Sequence, residues 1–208
     1  MALQVRGIQR LIQLLMLFLS AAVPCLAQET SAWDFYLGYS HRRAETREYF
    51  RTSPIIYAFR GRDVNFNGAE ASVTENRNHW FGGTLDFSFY DKTSVAAGTT
   101  PQLATTSNRR RMYSILYGPR FSYRTSWITP FAHVLLGAAH ATVSVTPVGP
   151  RVSDTSFATA IGGGVDVRIK GKLAVRVIQA DYFRSDLAGT SPNGYRASAG
   201  VILMLGRR

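Results

Sequence analysis

The sequence predicts an all-β fold: an eight-stranded antiparallel up-and-down transmembrane β-barrel preceded by a cleaved signal peptide. Three observations predict it. The chain opens on a leader with the three-part form of an export signal. Beyond the leader, apolar and polar side chains alternate with period two in eight stretches. The connectors between those stretches are by turns very short and long.

In the leader, Arg6 and Arg10 form a basic n-region, Leu11 to Val23 an apolar h-region, and small residues come next, so cleavage is placed after Ala27. The expected division is therefore 1–27 for the signal peptide and 28–208 for the barrel domain. The h-region is well short of the roughly 20 apolar residues a spanning helix needs, and no later run approaches that length. Cys25, the only cysteine, lies inside the leader behind Ala22, Val23 and Pro24, and a proline directly before the cysteine fits a lipobox poorly. The mature chain then has no cysteine, which excludes disulfides, redox motifs and thiolate metal sites. The formal charge is +11, and the leader's two arginines are its only charged residues, so the mature chain carries +9. A charge that basic raises nucleic acid as a partner, but an exported chain with dispersed cations points to an anionic membrane surface and to no nucleic acid.

The first stretch, Ala32 to His41, sets Trp33, Phe35, Leu37 and Tyr39 against Asp34, Tyr36, Gly38 and Ser40, because successive strand side chains point to opposite faces. The second, Phe66 to Thr74, sets Ala69, Ala71 and Val73 against Glu70, Ser72 and Thr74. The turn Asn76-Arg77-Asn78 leads into the third, Trp80 to Tyr90, with Phe81, Leu85, Phe87 and Phe89 opposite Thr84, Asp86 and Ser88. In the fourth, Met112 to Arg124, Tyr113, Ile115, Tyr117, Phe121 and Tyr123 face away from Ser114, Gly118, Arg120 and Ser122. The fifth, Trp127 to Ala141, alternates more weakly and carries His133 on its polar side. The sixth, Thr155 to Arg168, sets Phe157, Ile161, Val165 and Val167 against Ser156, Gly162, Gly164 and Asp166. The seventh, Leu173 to Arg184, slips phase: Val175 and Val177 outside put Arg176 inside, yet Gln179 and Asp181 have the other parity. A β-bulge near Val177 or Ile178 brings all three polar groups inward. The eighth, Tyr195 to Leu205, places Arg196, Ser198 and Gly200 opposite an apolar row.

About 24 residues (Arg42 to Asn65) separate the first two stretches, and about 21, 13 and 10 separate the later alternate pairs, against two to five in the intervening turns. An even strand count with this asymmetry is the pattern of a transmembrane barrel with short periplasmic turns and long outer loops. A soluble eight-stranded lipocalin is the rival. In hydrocarbon only a closed sheet pairs all its backbone groups, and its apolar face must point outward. Here that face is also the aromatic one. Trp33, Trp80, Trp127 and Tyr123 fall at the short-turn end, and Tyr39, Phe89, Tyr90, Tyr113 and Tyr195 near the long connectors, as in two aromatic girdles.

The leader, the opening AWDFYLGYSH, the stretches LYGPRFSYR and ITPFAHVLLGAAHA, and the paired FATAIGGGVDVRI and LAVRVIQADYFR resemble the outer-membrane β-barrel domain family, whose members are similar to the OmpA and OmpX barrels. The resemblance covers nearly all of the mature chain. It implies a location in the bacterial outer membrane, contact with the barrel-insertion machinery, and roles ranging from envelope stability to adhesion. The last stretch differs from many of that family in ending Met204-Leu205-Gly206 without a terminal aromatic.

Searches for chemistry return no nucleophile elbow, phosphate loop or zinc motif, and no catalytic residue, metal site or cofactor is implied. Gly162-Gly163-Gly164 lies within a strand and is read as relief of crowding. Two constellations remain. Glu70, Asp86, Arg120, His133, Asp166, Arg176 and Arg196 all project inward, and charges of both signs in so narrow a lumen are expected to pair and plug it. Arg42, Arg43, Arg47, Arg109, Arg110 and Arg111 fall in the outer connectors, where guanidinium groups suit lipopolysaccharide phosphates. The expected function is a non-enzymatic, monomeric envelope barrel. The alternatives are an adhesin or lipopolysaccharide-binding barrel using Tyr49, Phe50, Ile55, Ile56, Tyr57 and Phe59 as anchors, a narrow gated pore, and an outer-leaflet lipid-modifying enzyme.

Overall fold

The computed structural model describes residues 30–51, 57–96, 106–146, 151–185 and 190–206, with side chains left out at the tips of the outer hairpins. The expected signal peptide and the side chains of the six apolar anchors in the first connector lie outside this description. Eight strands run through the described residues: β1 (Trp33–Arg51), β2 (Tyr57–Asn76), β3 (Phe81–Ala96), β4 (Thr106–Ser122), β5 (Ile128–Thr146), β6 (Arg151–Lys170), β7 (Leu173–Ser185) and β8 (Thr190–Leu205). Each pairs antiparallel with the next, and β1 pairs with β8 to close the barrel. The register runs from Trp33 beside Glu75 on one flank and beside Leu205 on the other.

Period-two polarity becomes inside and outside as expected. Tyr36, Ser40, Glu70, Asp86, Arg120, His133 and Arg196 are buried, while Leu37, Tyr117, Trp127, Phe157 and Tyr195 are each more than 60 % exposed. Such exposure of large apolar side chains is a cost in water and a gain against lipid, so it marks the bilayer-facing wall. Trp80 stacks on Phe121 at the short-turn end, and Phe89 packs on Tyr113 and Tyr182 on Tyr195 near the other. From Trp33 to Arg43 is about 33 Å of strand, or about 25 Å of height at a tilt of about 40°, which matches one apolar band.

The outer connectors are shorter than the sequence implies. β1 continues to Arg51 and β2 begins at Tyr57, so most of the supposed first loop is hairpin. β3 and β4 likewise extend to Ala96 and from Thr106. The reason is physical: beyond the bilayer both faces of a strand meet polar surroundings, so the alternation fades while the backbone ladder persists. At the other end the turns are tight, and Gly171 takes a positive φ of 57° in the β6–β7 turn, where a side chain would strain the backbone.

The seventh strand carries the expected bulge. Val165 pairs with Ile178 and Asp166 with Arg176, leaving Val177 without a partner on β6, and β7 shifts against β8 between Arg176 and Gln179. Val177 and Ile178 both face lipid, and Arg176, Gln179 and Asp181 are all buried. Removing one residue here would turn either Arg176 or Gln179 and Asp181 into hydrocarbon, where an arginine alone costs about 2–4 kcal/mol. Deletion of Val177 is expected to abolish heat-modifiable folding, read as a gel shift before and after boiling, whereas Val177→Ala keeps the bulge and is expected to fold.

Candidate functional site

Every strand sends a polar side chain into the lumen, and their union is the densest chemistry among the described residues. Arg196 on β8 is the hub. Its Nη1 donates to Asp86 Oδ1 at 2.7 Å, its Nε to Asp181 Oδ2 at 2.8 Å, and Glu70 Oε2 lies 3.5 Å from Nε. His133 Nε2 lies 2.8 Å from Asp181 Oδ1. Gln179 bridges this cluster to a second one, donating from Nε2 to Glu70 and Asp181 at 2.8 Å while accepting from Arg176 Nη1 at 2.6 Å. Arg176 Nε and Arg120 Nη2 both donate to Asp166, at 2.8 and 2.6 Å. Nearest the short turns, Asp34 accepts from Asn76 at 2.9 Å and from Arg124 at 3.3 Å.

Aromatic rings hold the guanidinium planes between these bonds. Arg120 stacks on Phe131 at 3.9 Å and Arg176 on Tyr36 at 4.2 Å, a cation–π arrangement that satisfies the faces hydrogen bonds cannot reach. Gly164 makes room for this: a Cβ there would sit 2.9 Å from the Phe131 ring. Gly162, where a Cβ would collide with the Asp181 carboxylate, does the same, so these two positions of the glycine run serve the crowded lumen as the sequence suggests.

All seven residues expected in the lumen project there. Gln179 and Asp181, brought inward by the expected bulge, join them, and only their partners in the network were not legible in the sequence. An apolar layer on the outer side of the charges, comprising Phe66, Tyr90, Met112, Leu116, Leu135 and Phe183, was also not legible. Its members sit on inward parity, but the lumen was expected to be polar throughout; Tyr90, expected in the outer aromatic girdle, instead points inward, because it has the parity of Asp86 and Ser88.

Arg42 is a correction. It was expected in an outer loop facing phosphates, yet its guanidinium is fully buried in the lumen. It stacks on Phe183 at 4.0 Å, donates to Met112 Sδ at 2.8 Å and Ser185 Oγ at 3.4 Å, and meets no carboxylate among the described residues. The reason is parity: Arg42 lies two residues after Ser40 on the inner face, and β1 does not end at His41. Arg43, one residue on, faces outward and is exposed. Arg47 is in β1, with its side chain outside those described. The run Arg109-Arg110-Arg111 is split by the same alternation. Arg109 and Arg111 reach Asp91 on the outer face, while Arg110 lies on the opposite face beside Lys92. Among the described residues no three His, Cys, Asp or Glu side chains are arranged to hold a metal.

The Asp91 pairing stands above the outer aromatic band. Its hydrogen bonds from Arg109 Nε, each 3.1 Å, with Arg111 close by, hold its carboxyl below the usual carboxylate range against the opposing effect of partial burial. Because the folded value lies below the unfolded one near 3.9, the contact is fully present above that pH and is lost as pH falls through the depressed value. NMR titration of Asp91 is expected to give a midpoint under the free-aspartate value, and Arg109→Ala to move it upward. In the lumen, Arg196→Met leaves three carboxylates facing one another and is expected to cost about 3–5 kcal/mol in urea unfolding. Arg42→Met, which strands no carboxylate, is expected to cost far less by the same measurement.

The geometry agrees with comparison to known proteins. The chain is similar to Ail, the attachment invasion locus protein of Yersinia pestis, at 18% identity over 84% of this chain and 99% of that one, with a TM-score of 0.57. It is similar to Neisserial surface protein A at 15% identity over 84% of this chain and 98% of that one, with a TM-score of 0.61. At such identities the likeness concerns the fold. No curated protein sequence matches the chain. The model of the outer membrane protein beta-barrel domain matches residues 13–203. With a closed eight-stranded wall, a lipid-facing apolar exterior and that match, the chain belongs to the outer membrane protein β-barrel domain family and resides in the bacterial outer membrane.

Proposed function

We propose that this chain is a non-enzymatic barrel whose lumen is closed by its own paired charges and which contributes to the integrity of the envelope. The supporting observation is the balance of the interior. Arg42, Arg120, Arg124, Arg176 and Arg196 stand against Asp34, Glu70, Asp86, Asp166 and Asp181, and all but Arg124 are buried. Five arginines against five carboxylates give this set no formal net charge. A gate would have to separate partners that have left water, at several kcal/mol per uncompensated ion. The apolar layer around Leu116, Leu135 and Phe183 lies beyond the charges and would have to part as well.

A second reading, a barrel that binds anionic surfaces at its outer rim, is favoured by one observation: Arg109 and Arg111 share the single carboxylate of Asp91, leaving positive excess on an exposed hairpin. Ail has been crystallised with the heparin analogue sucrose octasulfate, which makes a sulfated glycan a reasonable probe for this rim.

Planar-bilayer recording of the purified protein separates a closed lumen from a gate. No discrete conductance is expected from the native barrel, and regular open steps would overturn the closed-lumen reading. In parallel, a deletion strain is expected to gain sensitivity to detergent without loss of surface adhesion; the reverse pattern would favour the rim.

A further inference from the structure

The lipid-facing wall carries a groove of about 420 Å³ where β7, β8 and β1 adjoin. Its floor is Ala180 and Ala197, which are partners in register. Toward the outside it is walled by Tyr182 and Tyr195, also register partners, whose rings meet edge to face at 5.7 Å. Along β1 it is bordered by His41 and Arg43, the register partners of Ala197 and Tyr195. The imidazole is held in place by Asn67, whose Oδ1 lies 2.8 Å from His41 Nδ1.

Each part has a physical meaning in a bilayer. Two alanines side by side, below the larger rings of Tyr182 and Tyr195, leave a trough that hydrocarbon fills. The tyrosine pair lies at the outer limit of the apolar band, where amphipathic rings favour the headgroup boundary. Arg43 reaches that same boundary with a guanidinium able to donate two parallel hydrogen bonds to a phosphate. An apolar trough below a cation is complementary to a lipid chain below an anionic headgroup. Because the short turns and both described chain ends face the periplasm, the cationic end of the groove faces the outer leaflet.

We propose that this groove binds one phosphorylated glycolipid of the outer leaflet, with an acyl chain over Ala180 and Ala197 and a phosphate on Arg43 beside His41. The site does not depend on the closed-lumen reading, since it lies on the opposite face of the wall. It also differs from the rim, since Arg109 and Arg111 are on β4.

The test uses the full-length folded barrel in detergent, with lipid retained after washing measured by native mass spectrometry. Bisphosphorylated lipid A is expected to remain as a one-to-one adduct, with dephosphorylated lipid A retained at least about tenfold less, the scale of one lost charged hydrogen bond. Arg43→Ala, which removes the cation, and Ala197→Trp, which fills the floor, are each expected to reduce retention by a similar factor. Arg43→Lys should restore part of it, and Arg110→Ala should behave as wild type. Heat-modifiability confirms that each variant is folded, and Ala180→Leu replaces Ala197→Trp if the larger side chain prevents folding. Equal retention of the two lipids, or undiminished retention by a folded filled-groove variant, would overturn the site.

Discussion

The constraint on which the rest depends is that a backbone in hydrocarbon must satisfy its own hydrogen bonds. A sheet does so only when its first and last strands meet, and the pairing of Trp33 with Leu205 and onward to Arg43 with Tyr195 is that closure. Closure with eight strands makes the inside narrow, and narrowness turns every inward side chain into a packing problem. The lumen's chemistry is a consequence of that geometry. Small residues such as Ser40, Ser88 and Ser114 admit neighbours, and long ones such as Arg120 and Arg196 reach past the next strand to carboxylates farther round the barrel.

The interior is accordingly organised in layers. Asp34, Asn76 and Arg124 close the end near the short turns, two linked charge clusters occupy the middle, and an apolar layer stands on the outer side. Gln179 joins the two clusters because an amide can donate to carboxylates and accept from a guanidinium at once, without adding charge. The bulge at Val177 is what brings Gln179 and Asp181 into that position. A local irregularity of the ladder thus serves the electrostatics of the whole lumen.

On the outside the wall answers to two solvents. Within the bilayer it is apolar, banded by aromatics; above it, the hairpins β1–β2 and β3–β4 continue as sheet with arginines on their faces. At that border stand Arg43, the register partner of Tyr195, and Arg109 and Arg111, which share Asp91.

The sequence by itself determined the strand count, the inward and outward faces, the two aromatic bands and the bulge. All of these rest on the contrast between lipid and lumen, which alternation records locally. That contrast vanishes above the bilayer, so the continuation of β1 past His41 was invisible, and with it the inward turn of Arg42 and the splitting of the three consecutive arginines. It vanishes again where the lumen is itself apolar, which hid Leu116, Leu135 and Phe183. Only the tertiary structure decided which charges meet. Arg196 and Asp86 are 110 residues apart and Gln179 and Glu70 are 109 apart. Partners across a barrel are set by the accumulated register of every strand between them, a property of the closed sheet that no single stretch of sequence carries.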